Sequence, residues 1–324
     1  AYVADGEKGL AIIDVSNPAK PAIIAQPDTN GTAYNVTIYN KYAYIADGSG
    51  GLVVIDVINP TKPVQVGWYY TSNARSVYMQ GDNVYIADGK NGLLVVDVNK
   101  IGNLSQVGRC GTRNALGVYI QGDYAYVADY DNGLVIIDIS NPNNPTQVGR
   151  FGTYKAYDVY VQGSYAYVAD GSNGLVIIDI SNPKSPIQVG SYDAGGSTLD
   201  VYIQGNYAYM ANYSNNLNYN KDLAIIDISN PRSPIQIGSC DIYGLAYGVY
   251  VQDNYAYVTD GNSGLVIIDI SNPKSTRQVG KYVTAGYAYG VYIQGSYAYV
   301  TNSNNGLVII DISNPNNPTQ VGRF

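Results

Sequence analysis

Asp158 and Asp200 hold the same place in two successive copies of an internal repeat, the residue before a Val-Tyr pair. Other copies carry Asn35, Ser76, Gly117, Gly248 and Gly290 there. Two carboxylates that depart from a repeat are the residues here best suited to chemistry. A pair of acids is what cleavage of a glycosidic bond requires, and oxygen ligands are what Ca²⁺ prefers. A glycan-cleaving site also needs a raised carboxyl pKa and aromatic rings to hold the sugar. The plainer reading is that strand ends in contact with solvent tolerate variation. No cofactor is expected beyond a Ca²⁺ ion at Asp158, Asp200, Asn35 and Ser76, and the identity of any metal stays open. The chain has no histidine, which removes the usual base near neutral pH and the commonest zinc ligand. Its two cysteines are too few for a thiolate metal cage.

Most of the acids have a different explanation. Every copy ends a greasy strand with Asp: Asp14, Asp56, Asp97, Asp138, Asp179, Asp227, Asp269 and Asp311. A second position carries Asp5, Asp47, Asp88, Asp129, Asp170 and Asp260, replaced by Asn212 and Asn302 in two copies. Catalysis needs its acids once, whereas a turn is needed in every copy. Carboxylates accepting nearby backbone N–H groups account for this recurrence. The remaining acids divide between the two ends of the repeat. Glu7, Asp28, Asp131, Asp158, Asp193, Asp200, Asp222 and Asp241 map to one end, together with Lys8, Arg75, Lys90, Arg113, Lys155 and Lys221. Asp82, Asp123 and Asp253 map to the other. If the six hairpin aspartates count with the first end, it is acidic and draws cations or a basic partner, within the ~8–10 Å screening length of physiological salt. The net charge of −7 argues against nucleic acid.

Three aromatic residues are candidates for partner contact. Tyr213 and Tyr219 lie in a polar insertion, residues 213–222, where other copies have a short hairpin; a tolerated length variant is the alternative. Trp68 takes a rim position occupied elsewhere by Arg109, Arg150, Lys281 and Arg323. Cys110 and Cys240 replace a fourth-strand aromatic in copies three apart, too distant for a disulfide if the copies form a ring.

The repeat has a period of 41 or 42 residues, with one interval of 48. One copy reads as four strands, Leu116–Gln121, Tyr124–Asp129, Leu134–Ile139 and Thr146–Phe151, rich in Val, Ile and Tyr. The third strand is apolar at consecutive positions, so both its faces must be buried, as in sheets stacked face to face. The reading is an all-β, eight-bladed β-propeller of four-stranded antiparallel blades, the first lacking its innermost strand. The blades span approximately 1–27, 33–69, 74–110, 115–151, 156–192, 198–240, 246–282 and 288–324. The missing strand is expected upstream of Ala1 or from a neighbouring molecule, and the chain reads as a mature or trimmed product. No apolar run reaches the ~18 residues of a membrane helix.

The run Gly-Leu-Val-Ile-Ile-Asp-Ile at 133–139, 174–180, 264–270 and 306–312 resembles the signature of the LVIVD-repeat family of β-propeller-like proteins. The resemblance implies a cell-surface or extracellular location and brings no catalytic residues. The expected function is a non-enzymatic scaffold for protein interaction or assembly, with a protein or surface polysaccharide as partner. A structural subunit of an extracellular polymer and a carboxylate-dependent glycan hydrolase or lyase are the alternatives.

Overall fold

A computed structural model describes residues 1–16, 22–213, 222–242, 244–302 and 306–323. The chain is an all-β propeller of eight antiparallel sheets, seven with four strands and the first with three. In the fourth blade the strands are Ala115–Gln121, Tyr124–Asp129, Gly133–Asp138 and Thr146–Phe151, adjacent in chain order. The first and third differ by a residue from the sequence reading. The first blade contains only Tyr2–Ala4, Leu10–Asp14 and Ala22–Ala25, which correspond to the second, third and fourth strands elsewhere.

The chain forms two compact units. One comprises Ala1–Val15, Ala22–Val161 and Ile180–Pro186; the other comprises Ser16–Pro21, Gln162–Asp179 and Ile187–Phe324. In the first unit, Leu134, Val135, Ile136 and Ile137 are all buried, as a strand covered on both faces requires. Val135 and Ile137 pack with Val118, Ile120 and Val127 of their own blade and with Tyr85, Leu93 and Val95 of the preceding one. In the second unit, Val266 and Ile268 are likewise packed among Tyr209, Leu223 and Ile225.

Two backbone devices recur. Within the first unit the hairpin glycines Gly6, Gly48 and Gly89 bridge to Ala33, Ala74 and Ala115 at the start of the next innermost strand; in the second, Gly171 and Gly261 bridge to Thr198 and Ala288. Each fourth strand also carries a bulge. Ile136 faces Gly149 but Ile137 faces Gln147, so Val148 is the extra residue. Beside the bulge the backbone of the next blade comes so close that a Cβ on Gly149 would collide with the Pro183 carbonyl. Gly108 meets Pro142 in the same way. This contact explains why Val-Gly and Ser-Asn-Pro recur together.

Candidate functional site at the inner-strand bulges

Four innermost strands, those of the fourth, sixth, seventh and eighth blades, are bulged near their beginnings, next to the repeat position that Asp200 occupies. Thr198 pairs with Asn212 and Asp200 with Ala211, leaving Leu199 as the extra residue. Leu116 is extra in the fourth blade, and in the last two blades the extra residues are Tyr247 and Tyr289. A bulge re-aims the side chain it inserts and is frequent at binding sites.

The carboxylate of Asp200 accepts the backbone N–H of Val249, on the next innermost strand, at 2.9 Å. Burial pushes its pKa up to about 6, against the opposing pull of the Val249 and Val201 N–H groups. Asn35 does the same work in the second blade, where its Oδ1 accepts the N–H of Val77 at 3.3 Å. Asp158 is partly buried and its Oδ1 reaches the space beside Gly117, 3.2 Å from where a Cβ would stand. Ser76 is partly buried at the equivalent position. The variation at this position therefore includes side chains that tie one innermost strand to the next. Among the described residues no group of three or more potential metal ligands is assembled.

The recurring aspartates are structural in detail. Asp138 accepts the Ser140 N–H at 2.9 Å and its hydroxyl at 2.6 Å, and these bonds hold its pKa below the usual carboxylate range. Asp269 repeats the arrangement with Ser271, and Asp56, Asp97, Asp227 and Asp311 accept the equivalent N–H. Asp179 ends its strand in the same register. The hairpin acids anchor the segment that links neighbouring blades. Asp129 accepts the N–H groups of Arg113 and Asn114 at 2.7 and 2.8 Å, and Asp88 accepts that of Asn73 at 2.6 Å. Asp47 accepts the Thr29 hydroxyl, Asp170 the Asn173 amide and Asp260 the Leu245 N–H.

These anchors correct the expectation of a strongly acidic end. Asp47, Asp88, Asp129, Asp170 and Asp260 are buried, and so is Asp222. Removing those six leaves eight acids against five bases among the described residues, Lys221 lying outside them, so the end keeps a much smaller acidic balance than the sequence count suggests. Asp222 replaces the glycine that precedes other third strands. Its carboxylate accepts the Ile242 N–H at 3.0 Å, and burial, with a carboxyl contact from Asp241, raises its pKa to about 6.

Tyrosine is what this end displays, and the aspartate pattern did not point to it. In the second unit Tyr213, Tyr247 and Tyr289 form a row with ring centroids 5.6 and 5.3 Å apart. Tyr287 stacks on Tyr289 at 6.4 Å, and the two are 39% and 50% exposed. In the first unit the rings hold cations: Arg75 sits 4.2 Å above Tyr34, and Lys155 lies over Tyr130 and Tyr154. The Lys155 hydrogen bond pulls the Tyr130 hydroxyl below its ordinary pKa. A second series runs along the innermost strands. Tyr78, Tyr119 and Tyr160 are spaced at 5.9 and 5.4 Å in one unit; Tyr202, Tyr250 and Tyr292 at 5.1 and 5.5 Å in the other. Their signal was the Val-Tyr pair of the repeat itself.

Trp68 is 53% exposed and tilts against Tyr70, yet its indole N–H donates to the Gly50 carbonyl at 2.6 Å. Arg109 makes the corresponding bonds to Asn91, so Trp68 also performs a structural task of its slot. Tyr219 lies outside the described residues. Cys110 and Cys240 are both free thiols, the first half-buried and the second buried.

The LVIVD repeat profile matches residues 1–29, 30–71, 72–112, 112–153, 155–194, 195–242, 243–284 and 285–324. A search of curated proteins finds no match. Among solved structures the fold is similar to Sqt1 of Saccharomyces cerevisiae, with a TM-score of 0.73 at 10% identity over 89% of this chain and 83% of that one. BamB of Moraxella catarrhalis aligns with a TM-score of 0.72 at 14% identity, covering 95% and 92% of the two chains. The dihydro-heme d1 dehydrogenase NirN aligns at 0.73 and 17% identity, over all of this chain and 72% of that one. Likeness at such identities concerns the fold alone.

Proposed function

The chain belongs to the LVIVD-repeat family, and from that premise we propose that it is a non-enzymatic binding propeller, at a cell surface or outside the cell, that holds a protein partner against its tyrosines. The observation that carries this reading is the cluster of Tyr213, Tyr247, Tyr287 and Tyr289, two of them raised on bulges. Tyrosine offers a large, stiff contact area with a polar tip at little entropic cost, which is why it is enriched in interfaces. Against an enzyme stands the use of the recurring acids, and of the non-repeat Asp200 as well, as backbone anchors.

The test is to probe the chain on protein and glycan arrays in parallel, with a Tyr247→Ser, Tyr289→Ser double variant beside it. Retention of a protein partner that the double variant loses supports the proposal. Retention only on glycans moves the partner to a surface polysaccharide. Glycan turnover that disappears in Asp200→Asn replaces the proposal with a hydrolase.

A further inference from the structure

At the opposite end of the blades, between the third and fourth and wholly within the first unit, lies an open cleft of about 440 Å³. Its lining includes Asp82, Asp97, Asp123, Asn99 and Tyr85, and contains no lysine or arginine. The turn between innermost and second strands holds Lys41, Asp82, Asp123, Ser164, Asn206, Asn254 and Ser296 along the chain. At this turn position only these two neighbouring blades place a carboxylate, the seventh blade's Asp253 standing one residue earlier, and Asp82 and Asp123 both line the cleft. The third blade also departs from the repeat beside it. Asn99-Lys100-Ile101 stands where six blades have Ser-Asn-Pro and the second has Ile58-Asn59-Pro60, and the Asn99 amide nitrogen lies 3.1 and 3.2 Å from the carboxylate oxygens of Asp82. Asp97 accepts the Asn99 N–H at 2.8 Å through one oxygen.

A buried group independent of the acids is also exposed to this space. Tyr85 is only 2% exposed, yet it lines the cleft and its hydroxyl makes no hydrogen bond among the described residues. The hydroxyl oxygen itself keeps accessible surface at the cleft, so a ligand's donor or acceptor takes the place of water there. The Asp123 carboxylate is exposed and likewise makes no side-chain hydrogen bond among the described residues. The cleft is therefore rich in acceptors and carries three acids without a lining base. Its acids do not converge into a cluster that could hold a metal ion. A small cation cannot satisfy separated carboxylates at once, whereas an extended one with several N–H groups can.

We propose that this cleft binds an organic cation, an ammonium or guanidinium group, with Asp82 and Asp123 as its charge partners and the Tyr85 hydroxyl as a third contact. The group comes from a free polyamine or from a lysine or arginine of a partner segment. The site is separate from the tyrosine cluster and stands or falls without it.

The experiment is calorimetric titration of the full chain at low salt with spermidine, with an acetylated Lys-Gly-Arg peptide amide, and with calcium chloride. Saturable binding of spermidine or peptide is expected, weakened at least tenfold in an Asp82→Asn, Asp123→Asn double variant and several-fold in Tyr85→Phe. Asp131→Asn, which makes a single such charge change on another loop, leaves it unchanged, as does the Tyr247→Ser, Tyr289→Ser variant. Preference for spermidine marks a free polyamine site, and preference for the peptide marks a partner side chain. The proposal is overturned if neither probe saturates, if the double variant binds as the parent does while its thermal melt is unaltered, or if calcium alone binds and is lost in that variant. Tyr85→Phe conserves shape, so its loss of binding at an unchanged melting temperature reports the hydroxyl and not the fold.

Discussion

The Asn91 amide donates to the Asp88 carboxylate at 2.6 Å, three residues along the same hairpin. Asn132 and Asn173 serve Asp129 and Asp170 in the same way. Gly50 and Ser263 replace that asparagine in two other blades, and there one carboxylate oxygen, of Asp47 and of Asp260, is buried without a partner. Burial pushes the Asp47 pKa up to about 6, with Thr29 and Gly31 pulling against it.

Restoring the donor should stabilise the hairpin. Ser263→Asn is expected to add about 1 kcal/mol, raising the melting temperature by about 1–2 °C in a chain of this size. Scanning fluorimetry checks it, and an unchanged or lower melting temperature counts against the donor argument.

The close approach of Gly149 to Pro183 predicts a sharper loss. Gly149→Ala must displace the backbone of the neighbouring blade, costing about 1–3 kcal/mol. Gly152→Ala, with open space around it, is the control and should stay within about 0.5 kcal/mol of the parent. Urea unfolding of both variants decides the matter.

Asp200 is predicted to tolerate amidation but not truncation. Asp200→Asn keeps an acceptor for the Val249 N–H, as Asn35 does for Val77, and should melt close to the parent below about pH 4, where the raised pKa of the Asp200 carboxyl no longer separates the two. Asp200→Ala leaves that N–H without its partner and should lose about 1–3 kcal/mol. Equal melting of the two variants would show that the bond contributes nothing.

The sign of the pH dependence follows from Asp222. Its folded pKa of about 6 lies above the value near 3.9 that a free aspartate has, so the folded chain holds this proton more tightly than the unfolded one. That contribution is complete below about pH 4 and is lost as the pH rises through about 6. Asp222→Asn should therefore melt above the parent at pH 7–8, by a few degrees, with the gap closing below about pH 4. A gap independent of pH from 4 to 8 would refute the assignment to this carboxyl.

Much of the fold was readable because it repeats. A chain that places Asp138, Asp179 and Asp269 after identical apolar strands states its strand count, and recurrence also separated turn acids from catalytic ones. The acidity of one end was misjudged for a physical reason. Sequence position assigns Asp129 to a hairpin, but whether its charge faces solvent depends on the Arg113 and Asn114 N–H groups that enclose it. Asp82 and Asp123 were legible as acids of the other end, but their meeting with the buried Tyr85 was not, since that requires two blades packed together.

Residue order alone determined eight units, four strands to a full unit, a doubly buried third strand and the turn role of its terminal aspartates, because these follow from local pattern and spacing. Tertiary structure decided what those units display. Pairing across strands made Tyr247 and Tyr289 the bulged residues, packing between blades spent Asp200 on a neighbouring N–H, and the same packing left an acceptor-lined cleft beside Tyr85. Such outcomes depend on which distant groups meet, and a side chain's solvent access is set by those meetings rather than by its neighbours along the chain.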